Sequence, residues 1–285
     1  MAPYICGITL SFILNNNIIA PPFTSKISKI IFIELLKNQS LITDRYAYKP
    51  VTISPVMSNG KPIFKLNEKN QDLIKLEAEK PYEFHVSIIE KEPSKPLLLS
   101  LIESCGQTVV NVLNAKAEII RMNITLKQLE ELHLPNSNAY RVEFKTPTIL
   151  QMPKSLRWRF KGPRYVLFPH PYLMIWSLAT HWNAYAPPSL RIHDVWKLAY
   201  YATHALMEVD YNIKPVTAIY TKGKGPRGFI GWVLYKFRGV SKRLNEQILR
   251  LLEYANYMGI GKSRSIGFGM VEAKPINSKN RDNWH

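Results

Sequence analysis

Ile8, Leu10, Phe12 and Leu14 alternate with Thr9 and Ser11, a period of two that predicts an edge or half-buried strand over 4–14. After Pro21-Pro22, the next residues predict a helix near 25–38. Strands follow near 50–56, 61–66 and 82–90, then a helix over 95–104 and an extended segment over 107–123. This β-α-β-β-α-β order is ferredoxin-like, or RRM-like. A short helical stretch around 126–132 and the polar run Pro-Asn-Ser-Asn at 135–138 form a linker.

The second half repeats the order. A strand over 139–149 leads to helices over 171–185 and 193–207. Strands near 212–221 and 227–238 are joined by the basic hairpin 222–227. Ser241 reads as an N-cap, and Leu244, Ile248, Leu251, Leu252 and Ala255 keep helical spacing until Gly259 ends the helix. A strand over 268–274 closes the set. The expected fold is therefore α+β with tandem ferredoxin-like domains. One spans 1–130; the other spans 139–285 and carries an inserted helix and a glycine-rich loop.

With 285 residues and 46% hydrophobic content, the chain can form two cores. No run of 18 apolar residues predicts a membrane span. The apolar start has no basic region before Lys26 and no small-residue cleavage site, so it is not a signal peptide. Cys6 and Cys105 give neither a disulfide framework nor a metal cluster. A soluble, cytoplasmic protein with no cofactor and no membrane partner is expected.

Charge sharpens this picture. The net charge of +17 is unevenly spread: residues 1–138 hold 15 basic and 13 acidic side chains, residues 139–285 hold 23 and 8. No Asp or Glu lies between Phe144 and His193, or between Tyr211 and Asn245. Lys154, Arg157, Trp158, Arg159, Phe160, Lys161, Arg164 and Tyr165 interleave cations with aromatic rings. Cations neutralise phosphates and rings stack on unpaired bases, so the expected partner is a nucleic acid.

Gly259, Gly261, Gly267 and Gly269 lie within eleven residues beside Lys262 and Arg264. Successive backbone N–H groups in such a loop can form an anion-binding concavity. Gly261-Lys262-Ser263 is not a P-loop. The Gly required five residues earlier is Asn256, and the loop runs from helix to strand. The spacing also fails the dinucleotide-binding pattern, so nucleotide hydrolysis is excluded.

The segment Arg227 to Val233, the helix after it and the run Gly259 to Val271 resemble the CRISPR-associated repeat-processing endoribonucleases of the RAMP superfamily. Gly259, Gly261, Gly267, Phe268 and Gly269 fit that family's late glycine-rich loop. Pro21 to Ile30 and Tyr46 to Ser54 are similar to its archaeal branch. The resemblance implies tandem ferredoxin-like domains and metal-independent cleavage of repeat RNA. A ribose 2′-hydroxyl attacks the adjacent phosphate, leaving 2′,3′-cyclic phosphate and 5′-hydroxyl ends. Many members use a histidine on or after the first helix. Here the first histidine is His85. In the branch lacking it, lysines take the position, and Lys26, Lys29 and Lys49 match them.

An argument from charge points the same way. Lys26 and Lys29 lie three residues apart at the predicted start of a helix, where the macrodipole favours carboxylates, and no acid occurs before Glu34. Each charge opposes the helix by roughly 0.3–1 kcal/mol. Crowded positive charge also lowers a lysine pKa. Lys29 is expected to protonate the leaving 5′-oxygen, with Lys26, Lys49 and Arg227 stabilising the pentavalent transition state; Tyr46 and Tyr48 read either as packing residues or as the group that orients the 2′-hydroxyl. For RNA binding, Arg157, Arg159, Lys161, Lys222, Lys224, Lys262 and Arg264 join the four loop glycines.

The expected partner is CRISPR repeat RNA, single-stranded or a weak hairpin. Trp176, Trp182 and Trp196 read as core or interface residues, which leaves a homodimer open, as does transfer of product RNA to an effector complex. Two rival readings share these features: a non-catalytic RAMP subunit holding guide RNA, and a general single-stranded RNA-binding protein.

Overall fold

The computed structural model describes residues 3–36, 48–66, 73–90, 108–153, 162–220 and 225–276. The chain divides into two compact units. The first comprises Met1–Leu129 together with Ala218–Pro226 and Arg264–Gly267; the second comprises Glu130–Thr217, Arg227–Ser263 and Phe268–His285.

In the first unit, β1 (Tyr4–Leu14) is followed by β2 (Ile18–Ala20) and α1 (Ser25–Leu36). Short strands β3 (Val51–Ile53), β4 (Met57–Ser58), β5 (Lys61–Pro62) and β6 (Ile74–Leu76) lead to β7 (Tyr82–Glu90). A hairpin of β8 (Val109–Val112) and β9 (Ala115–Gln128) ends the series. β1 lies between β7 and β9, antiparallel to both, and β3 and β4 pair with the far edge of β7. The principal strands thus run in ferredoxin-like order, with the last beside the first and the second at the edge.

Burial along β1 follows its alternation, with Ile8, Leu10, Phe12 and Leu14 all buried. They share a core with Ile27, Ile31, Phe32 and Leu35, whose three- and four-residue spacing gives α1 one apolar face. Thr24 anchors the helix start to the sheet side: its hydroxyl donates to the Ile63 carbonyl and accepts from the Val56 N–H.

The second unit repeats the plan with β10 (Ala139–Thr148), β13 (Leu206–Thr217), β14 (Arg227–Phe237) and β15 (Val271–Pro275), ordered β13-β14-β10-β15. A two-stranded pair, β11 (Leu150–Gln151) and β12 (Tyr165–Val166), follows β10. Helices α2 (Pro171–Tyr185) and α3 (Val195–Ala205) stand between β10 and β13, and α4 (Lys242–Met258) between β14 and β15. Phe144 and Phe229 meet edge-on at 5.0 Å in its core. His181 is buried there, its Nδ1 2.6 Å from the Tyr254 hydroxyl, a structural placement.

Several expectations change. The predicted helical stretch at 126–132 is strand as far as Gln128, because β9 keeps pairing with β1 up to Tyr4, and only a 3-10 turn, Leu129–Glu131, follows. The extended segment at 107–123 breaks into the β8–β9 hairpin, with Leu113 at φ 54° in the turn. Strand β13 starts at Leu206, immediately after α3, rather than near 212. Ser241 occupies the N-cap of α4, but its side chain makes no capping bond. Gly259 does end that helix, at φ 67°. The helix expected over 95–104 lies outside the described residues. No helix among the described residues is long and apolar enough to cross a membrane.

Candidate functional site

The first unit gathers three of the four residues expected to act on RNA. Lys26 and Lys29 are the second and fifth residues of α1, both half-buried, and the first turn contains no acid. Lys49 is half-buried two residues before β3. Burial, and then the positive charge of Lys49, lower the Lys29 pKa below the ordinary lysine value. Two ammonium groups from distant parts of the sequence therefore sense each other. Tyr48 beside them is exposed, and Tyr46 lies outside the described residues.

Two segments from late in the chain complete this region. Tyr220 belongs to the first unit, and the Lys26 ammonium lies 4.7 Å from its ring centre, within cation–π range. The same ring meets the buried Phe23 edge-on at 5.9 Å. Burial raises the Tyr220 phenol pKa, so its ring acts as a neutral aromatic face. The second segment is the 3-10 turn Arg264–Ile266, which packs beside α1 and β3. Ser25 donates its hydroxyl to the Ile266 carbonyl at 2.7 Å. Gly267 has φ 94°, and a Cβ there would lie 2.7 Å from the Ser25 Cβ and 2.9 Å from the Phe23 ring. Only glycine permits that approach without strain.

The glycine amides of the loop already have partners within the chain. The Gly259 N–H donates to Ala255, that of Gly261 to the Ser177 hydroxyl, that of Gly267 to Arg264 and that of Gly269 to Pro147. All four glycine amides are committed inside the chain, so none is offered to an anion in this structure. Their positive φ values let backbones meet closely: a Cβ on Gly269 would stand 2.0 Å from the Ile260 carbonyl oxygen. The glycines shape the loop that presents Lys262, which is exposed, and Arg264, which is half-buried.

Arg227 stands apart from the lysine set in the division of the chain. It is the exposed first residue of β14, opposite Thr217, in the second unit. Arg157, Arg159, Lys161, Lys222 and Lys224 lie outside the described residues, as do Lys154, Trp158 and Phe160. Arg164 and Tyr165 are exposed at β12. Among the described residues no cluster of three His, Cys, Asp or Glu side chains has a metal-binding arrangement. Sequence reasoning missed Tyr220; its place just before the basic hairpin was the available signal.

Two ferredoxin-like sheets in one chain, with lysines at the start of the first unit's helix, define the class of tandem ferredoxin-like folds. Residues 7–127 match the Cas6 N-terminal domain, and residues 142–271 match the CRISPR-associated endoribonuclease Cas6 family. The chain belongs to the Cas6 family of CRISPR-associated endoribonucleases.

Two relatives from Saccharolobus solfataricus align over nearly the whole chain. CRISPR-associated endoribonuclease Cas6 1 is 26% identical over 292 residues, covering 96% of this chain and 98% of its own. Cas6 2 is 28% identical over 298 residues, covering 97% and 99%. Among solved structures, a Cas6 product complex superposes with a TM-score of 0.68 at 19% identity, covering 94% of this chain and 99% of that one. Thermus thermophilus Cas6 gives 0.64 at 17% identity, covering 96% and 99%. These likenesses bear out the tandem ferredoxin-like fold.

Proposed function

We propose that the protein cuts CRISPR repeat RNA within precursor transcripts to make guide RNAs, using lysines where relatives use imidazole. Family membership supports the endoribonuclease activity. The observation that carries the lysine assignment is the lowered Lys29 pKa, caused by burial and by Lys49. A lysine displaced toward neutral pH exchanges protons more readily than an ordinary surface lysine.

The chemistry balances without a co-reactant. The 2′-oxygen attacks the neighbouring phosphorus while its proton leaves to solvent. The phosphorus–5′-oxygen bond breaks, and Lys29 gives its proton to the departing oxygen, producing a 2′,3′-cyclic phosphate and a 5′-hydroxyl. Lys26, Lys49 and Arg227 stabilise the charge that accumulates on the phosphoryl oxygens. Tyr220 holds the Lys26 side chain through its ring face. Arg227, Lys262 and Arg264, with Arg157, Arg159, Lys161, Lys222 and Lys224, bind the RNA backbone, and the four loop glycines contribute by shaping the turn.

The reading extends to a cytoplasmic protein that passes product RNA to an effector complex. A homodimer forms through the aromatic patch on α2 and α3. There Trp176 and Trp196 lie 4.3 Å apart and Trp196 remains exposed. Incubating purified protein with repeat RNA in EDTA tests the activity. Site-specific cleavage with cyclic phosphate ends is expected. Tight binding without products would instead identify a non-catalytic subunit, and equal binding of DNA and RNA a general single-strand binder.

A further inference from the structure

We propose that Lys65 is a phosphate-binding residue for the RNA substrate, a fourth ammonium serving the same site. The assignment rests on the ribonuclease reading above. Lys65 is held by backbone bonds between the two segments that frame Lys26. Its N–H donates to the Pro22 carbonyl at 2.8 Å, and its carbonyl accepts from the Ile219 N–H at 3.5 Å. On either side, Phe64 bridges Phe23 and Leu66 bridges Ala218. Phe23 follows Pro22 and Tyr220 follows Ile219; their rings meet edge-on, and the Lys26 ammonium lies over the Tyr220 ring.

The Lys65 ammonium is shielded from solvent and makes no hydrogen bond among the described residues. The ion pairs Lys80–Glu77, Lys145–Glu272 and Lys274–Glu272 do not involve it. Removing a cation from water without a counter-charge disfavours folding, and a methionine would fill the same space without that penalty. Among the described residues, the fold gives no reason for a charge at this position. An anion does, and the phosphodiester backbone is the polyanion that this family handles. Lys65 has three donors and, among the described residues, no carboxylate bonded to them, which suits a non-bridging phosphate oxygen.

Lys65→Met separates this role from a packing role. Without RNA, the variant is expected to melt at or above the temperature of the parent. Its affinity for repeat RNA falls about tenfold, and the slope of log affinity against log salt shrinks by about 0.7, one phosphate contact on a single strand. At saturating protein, the single-turnover rate stays within about threefold of the parent. Parental affinity with an unchanged salt slope overturns the assignment, as does a lowered melting temperature with unchanged binding. If Lys65→Met does not fold, Lys65→Gln decides by the same readouts. A parent protein that fails to bind or cut the RNA removes the ribonuclease reading and this assignment with it. A parent that cuts the RNA beside a Lys65→Met protein of parental affinity and salt slope removes this assignment alone.

Discussion

Ser25, the first residue of α1, donates its hydroxyl to the carbonyl of Ile266 at 2.7 Å, joining positions 241 residues apart. This bond ties the glycine-rich loop to the helix that carries Lys26 and Lys29. The loop thereby becomes part of the lysine site's scaffold.

Replacing Gly267 by alanine puts a methyl group against Ser25 and Phe23 at a φ of 94°. Strain of about 1–3 kcal/mol is expected, measured as a loss in chemical denaturation, together with at least a tenfold fall in cleavage. Gly60→Ala is the control: its φ is also positive, but nothing lies within 4 Å. It should cost about 1–2 kcal/mol and leave the cleavage rate unchanged.

Tyr220→Leu removes the ring beneath the Lys26 ammonium. Cation–π contacts contribute about 0.5–2 kcal/mol, so cleavage should fall roughly three- to thirtyfold. Tyr220→Phe keeps the ring face and should retain most activity, a contrast read from single-turnover rates.

Lys29 links chemistry to pH. Its pKa is lower in the folded protein than the ordinary 10.5, so between the two values the unfolded chain binds more protons. The destabilisation is fully present below the folded pKa and disappears as pH rises through that value toward 10.5. Lys29→Met should therefore melt higher than the parent at neutral pH, with the gap closing in alkali. If Lys29 is the proton donor, parental cleavage should decline on the alkaline side at a pH below the ordinary lysine range.

Much of the architecture was legible in local patterns. The alternation through Leu14 marks β1 over 4–14, and the apolar run after Pro171 marks α2 over 171–185, with the bounds seen in the structure. Strand ends were harder to read, because β9 extends to Gln128 only through its long ladder with β1. Lys26 and Lys29 stand out locally as cations opposing a helix dipole. It was the family resemblance that marked them as a site and that added Lys49, whose own surroundings in the sequence carry no such signal. Tyr220 and the 264–267 turn could not be singled out, because their assignment to the first unit depends on contacts such as Leu66 with Ala218 and Ser25 with Ile266. The glycine amides misled for a related reason. Spacing reveals that a loop is tight, but not that its glycine N–H groups already have partners within the fold.

The most direct test is the single-turnover cleavage rate of repeat RNA in EDTA, at saturating protein, for the parent and for Lys29→Ala. A fall of about 10²–10⁴-fold with RNA affinity nearly retained is the expected result. A Lys29→Ala protein that cuts the RNA at the parental rate would contradict the account.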